Sequence, residues 1–338
     1  MDLVADLLRK RRRDTSFARK LETSWTSARS RAPWSENAAR ILERPPKSEA
    51  RVKGEPDLRG YRARLLERIG AAQGRGAQAL EAARSLAAVD MFDDEAFAVY
   101  LDVFRRTHAD VLDALSRKLG PTVVMHISCK PRVDRAYTSR ESFAGLPPDV
   151  GHVVVVGGGF DGEPSFDPVT GILTIAADDS YEHLPAKVFT AVALLITLEA
   201  VRCVVKVDDD HLLADAALFA RYAGEAGRPG RAQVWGQLYQ RRFYGDHNRA
   251  WHLGKCEDPL LNDRPYGFPG AVRWATGEAG YFMNRAAGRY LHWAGVYFAD
   301  YIRVGMYEDV LVADLMDRLG GRLRSAPMAR ILRTTAQY

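Results

Sequence analysis

Beyond Gly120 the chain alternates between two textures. Short runs rich in β-branched residues, "TVVMHIS" (122–128) and "HVVVVGG" (152–158), have the unbroken apolar character of buried strands. "YEHLPAKVFTAVALLITLEA" (181–200) predicts a helix, with Pro185 in the first turn, where a missing N–H does little harm. The strand "VRCVVKV" (201–207) comes next, then a helix from about Leu213 and a strand "AQVWGQL" (232–238). Strands alternating with helices predict an α/β sheet with helices on both faces. Upstream the pattern is helical: Leu58, Tyr61, Leu65 and Ile69 share one face, and a longer helix is expected over 93–119. Residues 44–56, rich in Pro and charge, read as a linker. The expected organisation is therefore a segment with linker (1–56), a helical extension (57–119) and an α/β domain (120–338).

Charge adds an asymmetry. Residues 1–70 hold 18 Lys/Arg against 10 Asp/Glu, a net +8 in a chain whose total is +5, so the remainder carries −3. Arg9, Lys10, Arg11, Arg12 and Arg13 form a cluster suited to nucleic acid or an anionic membrane face; a solvated tail would look the same. The start, "MDLVADLLRKRRRD", lacks the order of a secretory signal, and the apolar stretch around 188–198 is too short to span a bilayer. Cys129, Cys203 and Cys256 are odd in number and far apart, which suggests neither a disulfide framework nor a zinc site. The expectation is a cytoplasmic protein, with peripheral contact at the inner membrane face.

Asp208, Asp209 and Asp210 stand directly behind a predicted strand, and α/β sheets collect ligands beyond the carboxyl ends of their strands. Two carboxylates one residue apart can share a hard divalent cation, and Mg²⁺ or Mn²⁺ bound in this way often carries a substrate diphosphate. The plainer alternative is that the aspartates cap the helix that follows. Gly157, Gly158 and Gly159 follow a strand but lack a phosphate-loop pattern and read as a turn.

Four blocks, in order, resemble the β-1,3-galactosyltransferase and Fringe family of inverting glycosyltransferases. They are "SCKPRVDRAYTSRESFAG" (128–145), "DDSYEHLPAKVFTAVALL" (178–195), "KVDDDHLL" (206–213), and "WATGEAGYFMNRAAGRYL" (274–291) with "YEDVLVADLMDRLG" (307–320). The resemblance covers roughly 121–325 and implies a GT-A fold, a Rossmann-like mixed sheet with helices on both faces, here carrying an α-helical N-terminal extension. It implies that Asp208 and Asp210 flank a Mn²⁺ or Mg²⁺ ion on a UDP-sugar, with Asp209 supporting the loop. Arg135, Arg140 and Lys187 would then face the nucleotide or its phosphates, and Gly277 and Gly280 would admit the sugar close to the backbone. Asp309 of the Glu-Asp-Val element would be the catalytic base, with Glu308 the next candidate.

This departs from the family pattern in places. His183 stands where an Asn is usual, no histidine follows His292 to complete a metal site, and His247 and His252 are loop alternatives. The implied activity is transfer of a hexose or N-acetylhexosamine, galactose-type favoured, from a UDP-sugar to a glycan or lipid-linked glycan of the cell envelope, forming a β-1,3 link. The rivals are a metal-dependent phosphoryl-transfer or nucleic-acid enzyme and an inactive glycan-binding module. The net −3 of residues 71–338 gives no basic groove around the aspartates and disfavours nucleic acid.

Overall fold

The computed structural model describes residues 41, 58–89, 93–240, 248–263, 265–267 and 273–335. Contacts divide the chain between Ala109 and Asp110 into two compact units. In the first, α1 (Leu58–Ala71), α2 (Ala77–Val89) and α3 (Asp94–Thr107) pack in sequence order. Leu65, Ile69, Leu86, Phe97 and Leu101 lie buried among them. Asp93 caps α3, its carboxylate accepting the N–H groups of Glu95 and Ala96. The single helix expected over 93–119 is two helices. The chain leaves helical geometry at His108 (φ −106°, ψ 22°), and α4 (Ala109–Ser116) begins after it.

The second unit is a mixed α/β structure around eight strands. In chain order its elements are β1 (Thr122–Ile127), α5 (Val133–Ser142), β2 (Val150–Gly157), β3 (Ser165–Asp167), β4 (Ile172–Ile175), α6 (Leu184–Thr197), β5 (Cys203–Asp208) and β6 (His211–Leu213). There follow α7 (Ala216–Ala226), β7 (Gln233–Gly236), β8 (Leu238–Gln240), β9 (Asn248–Arg249), α8 (Pro259–Asn262), β10 (Tyr266–Gly267), β11 (Arg273–Ala275) and β12 (Tyr281–Asn284). The chain closes with α9 (Arg285–Tyr297), α10 (Ala299–Val304), α11 (Glu308–Arg318), β13 (Arg322–Ser325), α12 (Met328–Ile331) and β14 (Leu332–Thr334).

The central sheet runs β13-β7-β12-β5-β1-β2-β4-β3, parallel except that β12 opposes both its neighbours and β3 opposes β4. On β5 the side chains alternate: Val205 and Val207 join Phe219 of α7 and Phe282 of β12 in one core, while Lys206 faces the opposite side. The helix expected from Leu213 starts at Ala216 instead. Asp215 is its N-cap, accepting Leu218 N–H at 2.8 Å, and Leu213 ends the short strand β6.

The chain moves outward from β1 through β2 to β4, then returns to place β5 on the other side of β1. That reversal makes the carboxyl ends of β1 and β5 the switch point of the sheet, the place where sheets of this kind form a crevice. Ile127 and Asp208, paired across it, mark the position.

Candidate functional site

The loops leaving β1 and β5 meet at this crevice. Asp209, 4% exposed, turns back into the scaffold, accepting hydrogen bonds from Ser128 Oγ (3.0 Å) and Arg132 (2.9 Å). Burial pushes its carboxyl up, against the pull of the guanidinium. Asp208 and Asp210 are half-buried at the same turn. Arg135 stands 3.6 Å from Asp210 and 3.9 Å from Asp209. The aspartates do not cap α7, since Asp215 does that, so helix capping no longer accounts for them.

Among the described residues, Asp208, Asp210 and His211 form a group that can hold a metal ion, with one ligand atom from each lying within 4.8 Å of the others. The histidine is already committed. Its Nδ1 accepts Asp208 N–H (2.8 Å) and its Nε2 donates to the Glu278 carbonyl (2.7 Å), so in this arrangement no ring lone pair is spare. The donors left are the two carboxylates, an oxygen set that fits Mg²⁺ or Mn²⁺ completed by water or phosphate oxygens. His252 is not at this site: it is buried, with Nδ1 2.6 Å from the Tyr307 hydroxyl. His247 lies outside the described residues.

Lys206, which sequence reading passed over, sits beneath Asp208 at 1% exposure. A charge so buried persists only when paired. Its Nζ lies 2.7 Å from Asp208 Oδ1, 3.0 Å from Glu308 Oε1 and 3.1 Å from the Gly277 carbonyl oxygen. The Tyr281 ring, directly opposite on β12, approaches the ammonium at 5.9 Å. Burial works against this charge, but the two carboxylates prevail and raise the ammonium's pKa. Its signal in the sequence was a lone lysine inside an apolar strand.

Glu308 and Asp309 open α11, whose start is anchored by Tyr307 in a cluster with Trp274, Cys256 and Val310. They differ in access. Glu308 is 2% exposed, and burial pushes its carboxyl up to about 8. Asp309 is half-buried, its Oδ2 accepting Gly277 N–H (2.9 Å) and its Oδ1 accepting Val310 N–H (2.8 Å). Burial raises its pKa, and the bond from Gly277 opposes that rise. Asp309 is thus the carboxylate that solvent reaches, while Glu308 serves as a counterion to Lys206.

The glycines fit this cluster. A Cβ on Gly277 would lie 2.8 Å from Glu308 Oε1 and 3.2 Å from Lys206 Nζ, so the close approach there is to the protein's own charges. Gly280 has φ +73°, a left-handed conformation that favours glycine.

Two of the expected nucleotide contacts are already engaged by groups of the protein. Arg140 donates to the Thr170 carbonyl (2.5 Å) and stacks over Tyr137, tying α5 to the turn between β3 and β4. Lys187 is buried, its Nζ held by Asp179 Oδ1 (2.6 Å) and the Ser128 carbonyl (2.9 Å). Asp179 also accepts Gly157 N–H and Lys130 N–H, so this one pair binds the loops after β1 and β2 to α6. Besides Lys206, the groups beside the aspartates that sequence reading missed are His211 on β6 and Ser128 and Arg132, the last two within the block that follows β1. No protein-family model matches this chain, and no curated protein matches it.

Proposed function

We propose that this chain is an inverting, metal-dependent glycosyltransferase of the β-1,3-galactosyltransferase and Fringe-like kind. It would move a hexose or N-acetylhexosamine from a UDP-sugar to a hydroxyl of a glycan acceptor. One observation carries the reading: metal-spaced carboxylates, two guanidinium groups and a half-buried helix-start carboxylate gather at the switch-point end of one sheet. Asp208 and Asp210 would hold Mn²⁺ or Mg²⁺, which supplies charge neutralisation for the departing diphosphate. Arg132 and Arg135 place positive charge beside the same position, in a form suited to phosphate oxygens. Asp309 takes the proton of the acceptor hydroxyl as that oxygen bonds to the anomeric carbon, while the bond to the diphosphate oxygen breaks. Asp309 suits this role better than Glu308 because it is the more exposed of the two. The proposed acceptor is a lipid-linked glycan of the cell envelope, met at the cytoplasmic membrane face.

The test is thermal stabilisation by a panel of nucleotide sugars with and without Mn²⁺, since a ligand that prefers the folded state raises its stability. UDP-sugars are expected to stabilise only with metal, and EDTA to abolish sugar transfer, which Mn²⁺ restores. Full transfer in excess EDTA would overturn the metal role, and stabilisation by no nucleotide sugar would overturn the donor class.

A further inference from the structure

Lys206 touches three parts of this site and belongs to none of the roles above. Its ammonium holds Asp208 at the end of β5, Glu308 at the start of α11, and the carbonyl of Gly277 in the turn before β12. The Gly277 peptide then passes the restraint on, because its N–H holds Asp309 Oδ2 at 2.9 Å. Three elements distant in sequence thus take their mutual placement from one buried cation. Two features make the arrangement rigid. A Cβ at Gly277 would collide with Glu308, so the turn sits in contact with the pair. Below, Lys206 is fixed by β5, which is paired on both sides, with Met125 on β1 and Tyr281 on β12 as its direct neighbours.

We propose that Lys206 is a positioning residue that sets Asp309 relative to the metal-binding aspartates through Gly277 and Glu308. The inference rests on the proposed transferase reading for its purpose, but the placement itself requires neither metal nor sugar. The same ammonium also bears on the metal. An ammonium 2.7 Å from Asp208 Oδ1 repels a cation and occupies one of its ligand oxygens, so Lys206 weakens metal binding while it organises the site.

The experiment compares the full chain with Lys206→Met and with the double variant Lys206→Met/Glu308→Gln, which removes both buried charges and keeps the fold testable if the single variant fails. Hydrogen exchange is read at the amides of Gly277 and Val310, the two that hold Asp309. The Gly277 amide is expected to exchange at least about tenfold faster in the variants, with Val155 in the sheet centre unchanged. A merely structural lysine would raise exchange at both places together, and that result, or an unchanged Gly277, overturns the positioning role. Mn²⁺ titration supplies the second readout: Lys206→Met is expected to bind Mn²⁺ at least about tenfold more tightly than the unaltered chain, and the double variant more tightly than Glu308→Gln alone, while sugar transfer falls. Weaker Mn²⁺ binding in either comparison of folded proteins overturns the weakening of metal binding by Lys206. The exchange arm needs no turnover, so its failure is separate from a failure of the transferase reading.

Discussion

Three consecutive aspartates divide their work by the direction in which each side chain leaves the turn. Asp209 points into the protein, where Ser128 and Arg132 occupy its oxygens, while Asp208 and Asp210 remain half-buried beside the crevice. Substitutions should separate these roles. Asp209→Asn leaves Arg132 without its charge partner and one donor poorly matched, so stability should fall by roughly 1–3 kcal/mol. Asp309→Asn keeps one oxygen for Gly277 N–H but supplies no useful base. Sugar transfer is then expected to drop by about 10²–10⁴-fold, with UDP-sugar affinity nearly unchanged. Steady-state kinetics and urea unfolding on both variants check this. Near-normal turnover in Asp309→Asn would place the base elsewhere. The two carboxylates that open α11 were legible as a pair in "YEDV", but nothing local says which one is buried. That depends on Trp274 and Lys206 arriving from other parts of the chain.

At the scale of elements, β1, β2, α5 and β6 are joined by a chain of hydrogen bonds through two histidines. Ser139 Oγ donates to the His211 carbonyl, so it receives His126 Nδ1–H (3.0 Å), and His126 Nε2 then accepts from His152 Nδ1 (3.3 Å). The pattern requires neutral rings. Burial holds the His126 pKa well below its ordinary value and lowers that of His152 to about 4. With folded values below the unfolded one near 6.5, the unfolded chain binds more protons in this window. The contribution is complete above about pH 6.5 and is lost as pH falls toward 4, by at most ~1.4 kcal/mol per pH unit for each ring. Urea midpoints measured from pH 7 to 4.5 are expected to decline, and less steeply in His152→Asn, whose amide can still donate to His126. Equal slopes in the two proteins would show that the pair does not govern the decline.

For the whole molecule, the described residues include no helix long and apolar enough to cross a membrane. The basic cluster Arg9 to Arg13 lies outside the described residues, and its proposed role is electrostatic. Each such charge near an anionic surface is worth on the order of 1 kcal/mol. Binding to liposomes should therefore rise with the fraction of anionic lipid and fall with added salt. Equal binding to neutral liposomes would overturn the electrostatic account, and tight binding to DNA would point to a polyanion of another kind.

What the chain decides locally, it states openly. Runs such as "HVVVVGG" favour strands, because β-branched residues suit a pleated surface and burial on both faces calls for an unbroken apolar run. The spacing of Asp208 and Asp210 carries a metal-binding signal for the same local reason: two oxygens within reach of one ion. The start of α7 was misplaced because "HLLA" is equally apolar as strand or helix, and only pairing of β6 with β14 settles it. Arg140 and Lys187 had the right chemistry for phosphate, yet their partners, Thr170 and Asp179, come from loops that the fold brings in. Lys206 is the clearest case. Alone in an apolar strand it is an anomaly, and it becomes intelligible only when Glu308, 102 positions further along, closes over it. Apolar patterning specifies which residues must leave water, but a buried charge is defined by its counterions, and those are chosen by tertiary structure.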